Sequence, residues 1–298
     1  MNIVRRISYI FLCALPFLNL VIVGVRALRI PGVYQVVGGV LFAVILIAAW
    51  ILGARVIASA AAGKRRLALA GSLLIAPWAI VSLLWVGLGA PFQATMTENH
   101  MRFLVLLASS IIVPSAFVAL KQELYEAGER FYSTVGFAAS IPAGVGYFVC
   151  VSMSVAQTMT RLGGDKAPLP AFIGNLYSVL EFVAVILTYV ATAAFAASLA
   201  EARWLRRGAA RAYVIACMVL LLLLVMGGLS YPELSASTAP WYVRPGFIAR
   251  IPAIPWIMPG LLGVVLLRRA GNEQFEEGPN QPLQPTADRC TKRLKDDL

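Results

Sequence analysis

Eight apolar runs follow one another along the chain, and each is long enough to form a helix that crosses a membrane. A spanning helix needs roughly 20 predominantly apolar residues, and short polar connections separate the runs. The pattern therefore predicts an all-α fold, a polytopic transmembrane bundle of about eight helices within residues 1–270. The predicted helices cover residues 7–28, 33–57, 67–90, 103–120, 134–156, 171–200, 212–231 and 251–267.

The composition excludes an ordinary soluble domain. Hydrophobic residues make up 60% of the 298 residues and charged residues only 13%. Soluble domains carry about half apolar residues and about a quarter charged residues. So few charges leave too little polar surface to cover a water-soluble globule, and we expect much of the surface to face lipid.

Two of the runs carry features that bear on helix packing. The fifth run places Gly136, Ser140 and Gly144 at four-residue spacing, which predicts close approach to a neighbouring helix because small residues let backbones meet. The eighth run is the shortest and holds Pro255 and Pro259. Its length lies at the lower edge of spanning length, roughly 17 residues, so a re-entrant or interfacial segment is an open alternative.

Lysine and arginine distribution predicts the orientation of the bundle. With the N-terminus inside, inner segments hold 18 of the 25 Lys and Arg, and outer segments hold 7. This is the positive-inside pattern, and it predicts a multi-pass protein of the inner (plasma) membrane with both termini cytoplasmic. The net charge of +11 is then explained by attraction to anionic lipid. The lipid bilayer is the expected partner, and nucleic acid is not.

The composition of segment 271–298 predicts a disordered cytoplasmic tail. It is polar and rich in proline and charge, so it buries too little apolar surface to offset the entropy of ordering. Residues 280–287, Asn-Gln-Pro-Leu-Gln-Pro-Thr-Ala, resemble the ends of proteins encoded by bacterial mobile gene cassettes. The resemblance implies that the tail carries no function.

Cofactor and metal chemistry find little support in the sequence. The four cysteines form no CxxC pair, and His100 is the only histidine, which cannot supply paired haem ligands or a histidine-based metal cluster. Glu123, Glu126 and Glu129 are expected to form a solvated helix face and not a metal site. We therefore expect no cofactor, no metal and no catalytic residue that the sequence alone identifies.

Glu181 lies near the middle of the sixth predicted helix, where an acid is costly. Insertion of an Asp at mid-bilayer costs roughly 2.5–3.5 kcal/mol, so such residues usually face the bundle interior or a wet cavity. Polar residues recur near it at helical spacing, which predicts one inward polar face on this helix. The candidate polar site comprises Asn175, Ser178, Glu181, Thr188 and Thr192.

Two interpretations of this polar face stay open. In one, Glu181 is a substrate or proton site in a carrier. In the other, protonated Glu181 hydrogen-bonds a neighbouring helix, and the Ser and Thr hydroxyls bond carbonyls one turn earlier. The candidate partners of Glu181 are Ser109, Ser110, Ser140, Tyr147 and Ser152.

Four elements together are similar to those of uncharacterised bacterial multi-pass membrane proteins. They are the Ser- and Pro-bearing helix at 109–114, the charged connection at 123–130, the small-residue helix at 136–146, and the helix with central Glu181. The resemblance implies a multi-pass fold and no particular activity. Three functions remain open: a non-enzymatic protein of sensor or assembly type, a secondary carrier for a small solute or proton, and a lipid-modifying enzyme.

The orientation is testable with alkaline phosphatase fusions, because this reporter is active only outside the cytoplasm. We expect activity when it is fused after Ala167, which precedes the sixth run, and none when it is fused after Gly208, which precedes the seventh. Immunoblotting of both fusions controls for expression. The reverse pattern of activity would contradict the predicted orientation.

Overall fold

A computed structural model describes residues 3–24, 33–58, 61–88, 94–164, 170–229 and 253–272, and within them the fold is all-α with eight helices. A 3-10 turn, Ala54–Ala58, follows α2, and a π-helical turn, Ser82–Val86, follows α3. The helices are α1 Ile3–Gly24, α2 Val33–Leu52, α3 Ala62–Val81, α4 Met96–Glu126, α5 Phe131–Leu162, α6 Ala171–Glu201, α7 Arg207–Leu229 and α8 Ala253–Ala270.

Six of these helices, α2 to α7, are long and apolar enough to cross a membrane. Many of their large apolar side chains are exposed, including Ile111 on α4, Val145 on α5 and Leu222 on α7. Exposed apolar surface on this scale is unfavourable in water and expected in lipid. The fold therefore fits a multi-pass membrane protein.

All eight predicted runs contain a helix, but the predicted limits of α4 are too narrow. We expected a helix over 103–120, with a polar loop before it, and the helix starts at Met96. Thr95 and Glu98 form a capping box, in which each side chain bonds the other residue's backbone N–H. A capping box satisfies N–H groups that a helix start leaves open, so the polar residues before 103 belong to the helix.

The connection between α4 and α5 is a tight turn built on Gly128. The N–H of Gly128 bonds the carbonyl of Tyr125, and the N–H of Glu129 bonds the carbonyl of Leu124. This is the Schellman pattern, which requires a left-handed residue after the helix, and Gly128 supplies it with φ +91°. The charged stretch thus prolongs α4 up to this glycine, beyond the predicted end at residue 120.

Helix α5 packs between α4 and α6, while α3 packs against α4 and α8. Gly136 lies against the Phe195 ring of α6, and Gly144 lies against Pro114 of α4. A Cβ atom at either glycine would clash with its neighbour. The small-residue spacing along α5, which includes Ser140, therefore allows close approach on two sides, to α4 and to α6.

Helix α8 packs into the bundle, against α3. A Cβ built on Gly263 would lie 2.7 Å from the carbonyl oxygen of Gly71, so the two backbones are in direct contact. The indole N–H of Trp78 donates to the carbonyl of Trp256 over 2.6 Å. Leu267 is fully buried in the core that α8 shares with α3. The short, proline-bearing run is therefore a core helix in this structure.

Contacts between helix ends define one end of the bundle, which we call the arginine end. Arg5 of α1 donates to the last backbone carbonyl of α2 over 3.0 Å. Arg66 of α3 forms an ion pair with Glu123 of α4. Arg269 of α8 lies 4.5 Å from the Trp204 ring in the α6–α7 connection. At the opposite end, which we call the histidine end, His100 of α4 lies beside the end of α5.

Two predictions fall on residues that the structure does not describe. Of the predicted tail, only Gly271 and Asn272 are described. The connection at 232–250, between the seventh and eighth predicted helices, lies outside the described residues, as do most of the Lys and Arg assigned to outer segments. The structure therefore tests the predicted helices, and the predicted tail stays a prediction.

The α3–α8 contact is testable by adding one methyl group. Gly263→Ala places a Cβ against the Gly71 carbonyl and the Leu74 side chain. Because backbone cannot swing aside, we expect a loss of about 1–3 kcal/mol of stability, seen as a lower midpoint of thermal unfolding in detergent.

Gly174→Ala in α6 is the matched control. No atom lies within 4 Å of the added Cβ at this position, and alanine is favoured over glycine in a helix by up to about 1 kcal/mol. The control should unfold at the same temperature or higher. Equal midpoints for the two variants would contradict the close α3–α8 packing.

Candidate functional site

The polar stripe of α6 turns from exposed to buried along the helix. Asn175 is exposed, Ser178 and Glu181 are half-buried, and Thr188 and Thr192 are buried. The sequence predicts that the face with Ser178, Glu181, Thr188 and Thr192 points inward, with Asn175 near it on the outer side. In the structure Asn175 lies in the second turn of α6 and is exposed.

Three hydroxyls of the stripe bond backbone carbonyls of their own helix. Ser178 donates to Gly174 over 3.1 Å, and Thr188 donates to Ala184 over 2.8 Å. Thr192 donates to the Thr188 carbonyl over 2.7 Å. This back-bonding satisfies a hydroxyl without any partner helix. It is the arrangement that the structural interpretation of the stripe requires.

The Glu181 carboxyl lies near three polar side chains. Tyr147 and Cys150 of α5 and Tyr177 of α6 are close enough to interact with it electrostatically. Tyr147 is one of the partners that the sequence suggests. Glu181 therefore connects the polar stripe of α6 to α5. This contact lies in the first half of α6, nearer the histidine end.

The serines suggested as other partners have bonds within their own helices. Ser109 donates to the carbonyl of Val105, Ser110 to that of Leu107, and Ser140 to that of Phe137. For Ser152 the structure shows a half-buried side chain. Ser110 and Ser140 both line a cavity between the helices.

This cavity of about 20 Å³, which we call the central cavity, lies between α4, α5, α6 and α8. One water molecule needs roughly 10–15 Å³ of such space and two to four polar partners. The Tyr147 hydroxyl is buried and, in the described part of the chain, forms no hydrogen bond of good geometry, although the Thr188 hydroxyl lies close to it. The cavity thus has the size and polarity for one bridging water. Its polar lining consists of Ser110, Ser140, Tyr147 and Thr188.

Arg102 is a buried cation that the sequence interpretation placed in a loop. It lies in the second turn of α4 with no exposed surface. Its guanidinium donates to the Asn99 side chain over 2.9 Å and to the Leu84 carbonyl over 3.4 Å. Leu84 belongs to the π-helical turn after α3, and a cation near the carbonyl end of a helix is favourable. The missed signal is Thr95-x-x-Glu98, which predicts a helix start before Arg102.

His100 bonds across to α5 at the same end. Its Nδ1 lies 2.8 Å from the Thr158 hydroxyl oxygen, and Thr158 is buried. Within the described ranges, no group of three His, Cys, Asp or Glu side chains is placed to hold a metal ion. The contact of His100 is therefore an interhelical hydrogen bond.

Glu123 and Glu129 correct the expectation of a solvated acidic face. Both are buried, and only Glu126 of the three extends into solvent. Arg66 of α3 pairs with Glu123 and, over 2.5 Å, with Glu126. The sequence interpretation failed because the partner lies on another helix, 57 residues away.

Glu129 holds the starts and ends of three helices together. Its carboxylate accepts from the backbone N–H groups of Tyr132, over 2.7 Å, and Ser133, over 3.0 Å, at the start of α5. It also accepts from the Ser198 hydroxyl near the end of α6. Its own N–H bonds Leu124 of α4. One side chain thus caps α5 and ties α6 to the α4–α5 turn.

Hydrogen bonding determines the pKa of the Glu129 carboxyl. Burial alone raises this pKa, but the hydrogen bonds from Ser198, Tyr132 and Ser133 outweigh burial and lower it below the ordinary value of 4.5. Hydrogen bonds to a carboxylate favour its charged form. Glu129 is therefore a charged structural group.

Comparison of the chain with protein-family models, with curated proteins and with solved structures gave no match. Function has to be inferred from the residues and their contacts.

Glu129→Gln tests the cap. Because the amide has a single acceptor oxygen and no charge, we expect a loss of about 1–3 kcal/mol of stability.

The lowered pKa means that Glu129 stabilises the fold fully above pH 4.5 and loses this effect as the pH falls through the lower folded-state pKa. The gap in unfolding midpoint between wild type and variant should therefore be constant above pH 5 and shrink on acidification. A gap that widens on acidification would contradict a charged cap. Gln122→Ala on exposed α4 surface is the control.

Proposed function

We propose that this protein is a non-enzymatic multi-pass membrane protein of sensor or assembly type, in which Glu181 is a polar contact between α5 and α6. In this proposal eight helices span the bacterial inner membrane and both termini are cytoplasmic. The arginine end, which carries Arg5, Arg66 and Arg269, faces the cytoplasm. The charge distribution of the sequence supports this orientation.

The hydrogen bonding of the α6 stripe carries the proposal. Thr188 and Thr192 donate to carbonyls of their own helix, so their O–H groups are satisfied without a ligand. Small-molecule sites commonly enclose 300–1,000 Å³, whereas the cavity between α4, α5, α6 and α8 measures about 20 Å³. This cavity accommodates a water molecule and no solute, which weighs against a preformed solute site there.

Enzymatic chemistry has less support. Catalysis by an acid or base needs a second positioned group near the reacting atoms. Tyr147, Cys150 and Tyr177, which are among the described neighbours of Glu181, are neutral groups. A lipid-modifying activity centred on Glu181 is therefore the least favoured of the three functions.

A proton carrier is the second candidate, and the central cavity favours it. Tyr147 interacts with Glu181 and also lines the cavity. A water bonded to the Tyr147 hydroxyl would continue a polar path from Glu181 towards Ser140. A secondary carrier for a proton needs no larger space than this.

Glu181→Gln and Tyr147→Phe separate the two candidates. Gln keeps the size and hydrogen-bonding capacity of Glu181 but cannot release a proton. With purified protein in liposomes and a pH-sensitive dye inside, the proposed function predicts that wild type passes protons no faster than protein-free liposomes. It also predicts that any phenotype of a deletion strain is restored by each variant in proportion to its folded amount, measured as thermal stability and expression.

The carrier predicts a different result. Wild type would then pass protons, Glu181→Gln would abolish the flux, and Tyr147→Phe would lower it while both variants stay folded. A variant that folds as well as wild type but fails to restore the phenotype would overturn the structural role of Glu181.

A further inference from the structure

An open cleft lies at the arginine end between α5, α6 and α7, apart from the Glu181 region. Its volume is about 530 Å³, within the range of small-molecule sites. Arg207 and Arg211 of α7 line it, together with Tyr132 of α5 and Glu201 of α6. The remaining lining is apolar, contributed by Ala, Val and Ile side chains of α6 and α7.

The turn between α6 and α7 produces this cleft. Trp204 bonds the carbonyl of Leu199 and Arg203 bonds that of Ala200, which is again the Schellman pattern. Its left-handed position is occupied by Arg203, with φ +58°. Left-handed backbone is unfavourable for a residue with a side chain. The turn is short, so α7 starts at Arg207 beside the end of α6.

The two arginines carry more positive charge than Glu201, the acid that lines the same cleft, can compensate. Arg207 and Arg211 are four residues apart and share one face of α7. Both are exposed, and neither forms an ion pair within the described ranges. Across residues 201–211, one acid faces four arginines, a net charge of +3. They also lie in the first two turns of α7, where the helix dipole disfavours a cation unless an anion is near.

Below the arginines, the same face of α7 is apolar and exposed. Ile215 follows Arg211 by one turn, and Met218 and Leu222 continue the surface, each more than half exposed. At 1.5 Å per residue, Leu222 lies about 16 Å along the helix from Arg211. Half of the hydrocarbon core of a bilayer is about 15 Å. The cation pair and the apolar strip thus match the head and the acyl chain of one lipid.

We propose that this cleft binds an anionic phospholipid of the surrounding bilayer. The phosphate lies between Arg207 and Arg211, which donate charge-assisted hydrogen bonds to its oxygens. The Tyr132 ring borders the head group, and an acyl chain runs along Ile215 towards Leu222. This site goes beyond the proposed function and does not depend on the role of Glu181.

Lipid titration of the purified full-length protein tests the site. In detergent micelles, phosphatidylglycerol should bind and raise the unfolding midpoint, and phosphatidylcholine with the same acyl chains should do so much less. The variant Arg207→Gln/Arg211→Gln should bind phosphatidylglycerol roughly 25-fold more weakly, since each arginine near a lipid surface contributes about fivefold in affinity. Native mass spectrometry of the titration gives the affinity directly.

Arg203→Gln/Arg206→Gln is the matched control, because it removes the same charge from the adjoining α6–α7 connection, at residues that do not line the cleft. It should retain affinity within about fivefold, the effect of screened charges nearby. Arg207→Lys/Arg211→Lys, which keeps the charge, should retain most of the affinity and excludes a folding defect as the cause of loss.

Three results would overturn the proposal. Equal loss in the two Gln pairs would mean general charge attraction and no site. Equal binding of the two lipids would remove the requirement for an anion. Stabilisation by inorganic phosphate alone, to the same extent as by phosphatidylglycerol, would identify a free anion as the ligand in place of a lipid.

Discussion

Direct contact between helix backbones at glycine positions holds this bundle together. Apolar helices surrounded by lipid gain little from burying more apolar surface, so association depends on van der Waals packing and interhelical bonds. Gly263 and Gly71 bring α8 onto α3, and Gly144 brings α5 onto Pro114 of α4. The central cavity is small because these approaches are close. Within the described residues, the cavity between α4, α5, α6 and α8 is therefore too small for a solute.

Hydrogen bonds and ion pairs hold the charged groups that lie at the helix ends. Glu129 is held by two N–H groups of α5 and by Ser198 of α6, while Arg66 pairs with Glu123. Each stands where a helix begins or ends and backbone groups need partners. The arginine end thus combines charged groups that bond within the bundle with the exposed arginines Arg207 and Arg211 at its edge.

Hydrophobic periodicity and length were sufficient to predict the helices, because lipid requires long apolar runs and leaves few alternatives. Helix ends were harder, since a hydropathy pattern treats charged residues as boundaries. The Thr95-x-x-Glu98 pattern can place Arg102 in a helix, but the burial of Arg102 depends on its contacts with Asn99 and the Leu84 carbonyl. Tyr147 could be suggested as a neighbour of Glu181, but its place in the central cavity depends on how four helices pack. The pairing of Glu123 was missed for the same reason.

The unequal packing of the helices has a mechanical consequence. Of the residues in the apolar stretch of α3, 67% are buried, whereas only 17% are buried in that of α7. The close contacts between the glycines of α3 and α8 oppose sliding or rotation of one helix on the other. Helix α7 is joined to α6 by the short turn at Arg203 and packs chiefly on that helix. A tilt of α7 would widen or narrow the cleft that Arg211 and Tyr132 line, and it would leave the α3–α8 contact in place.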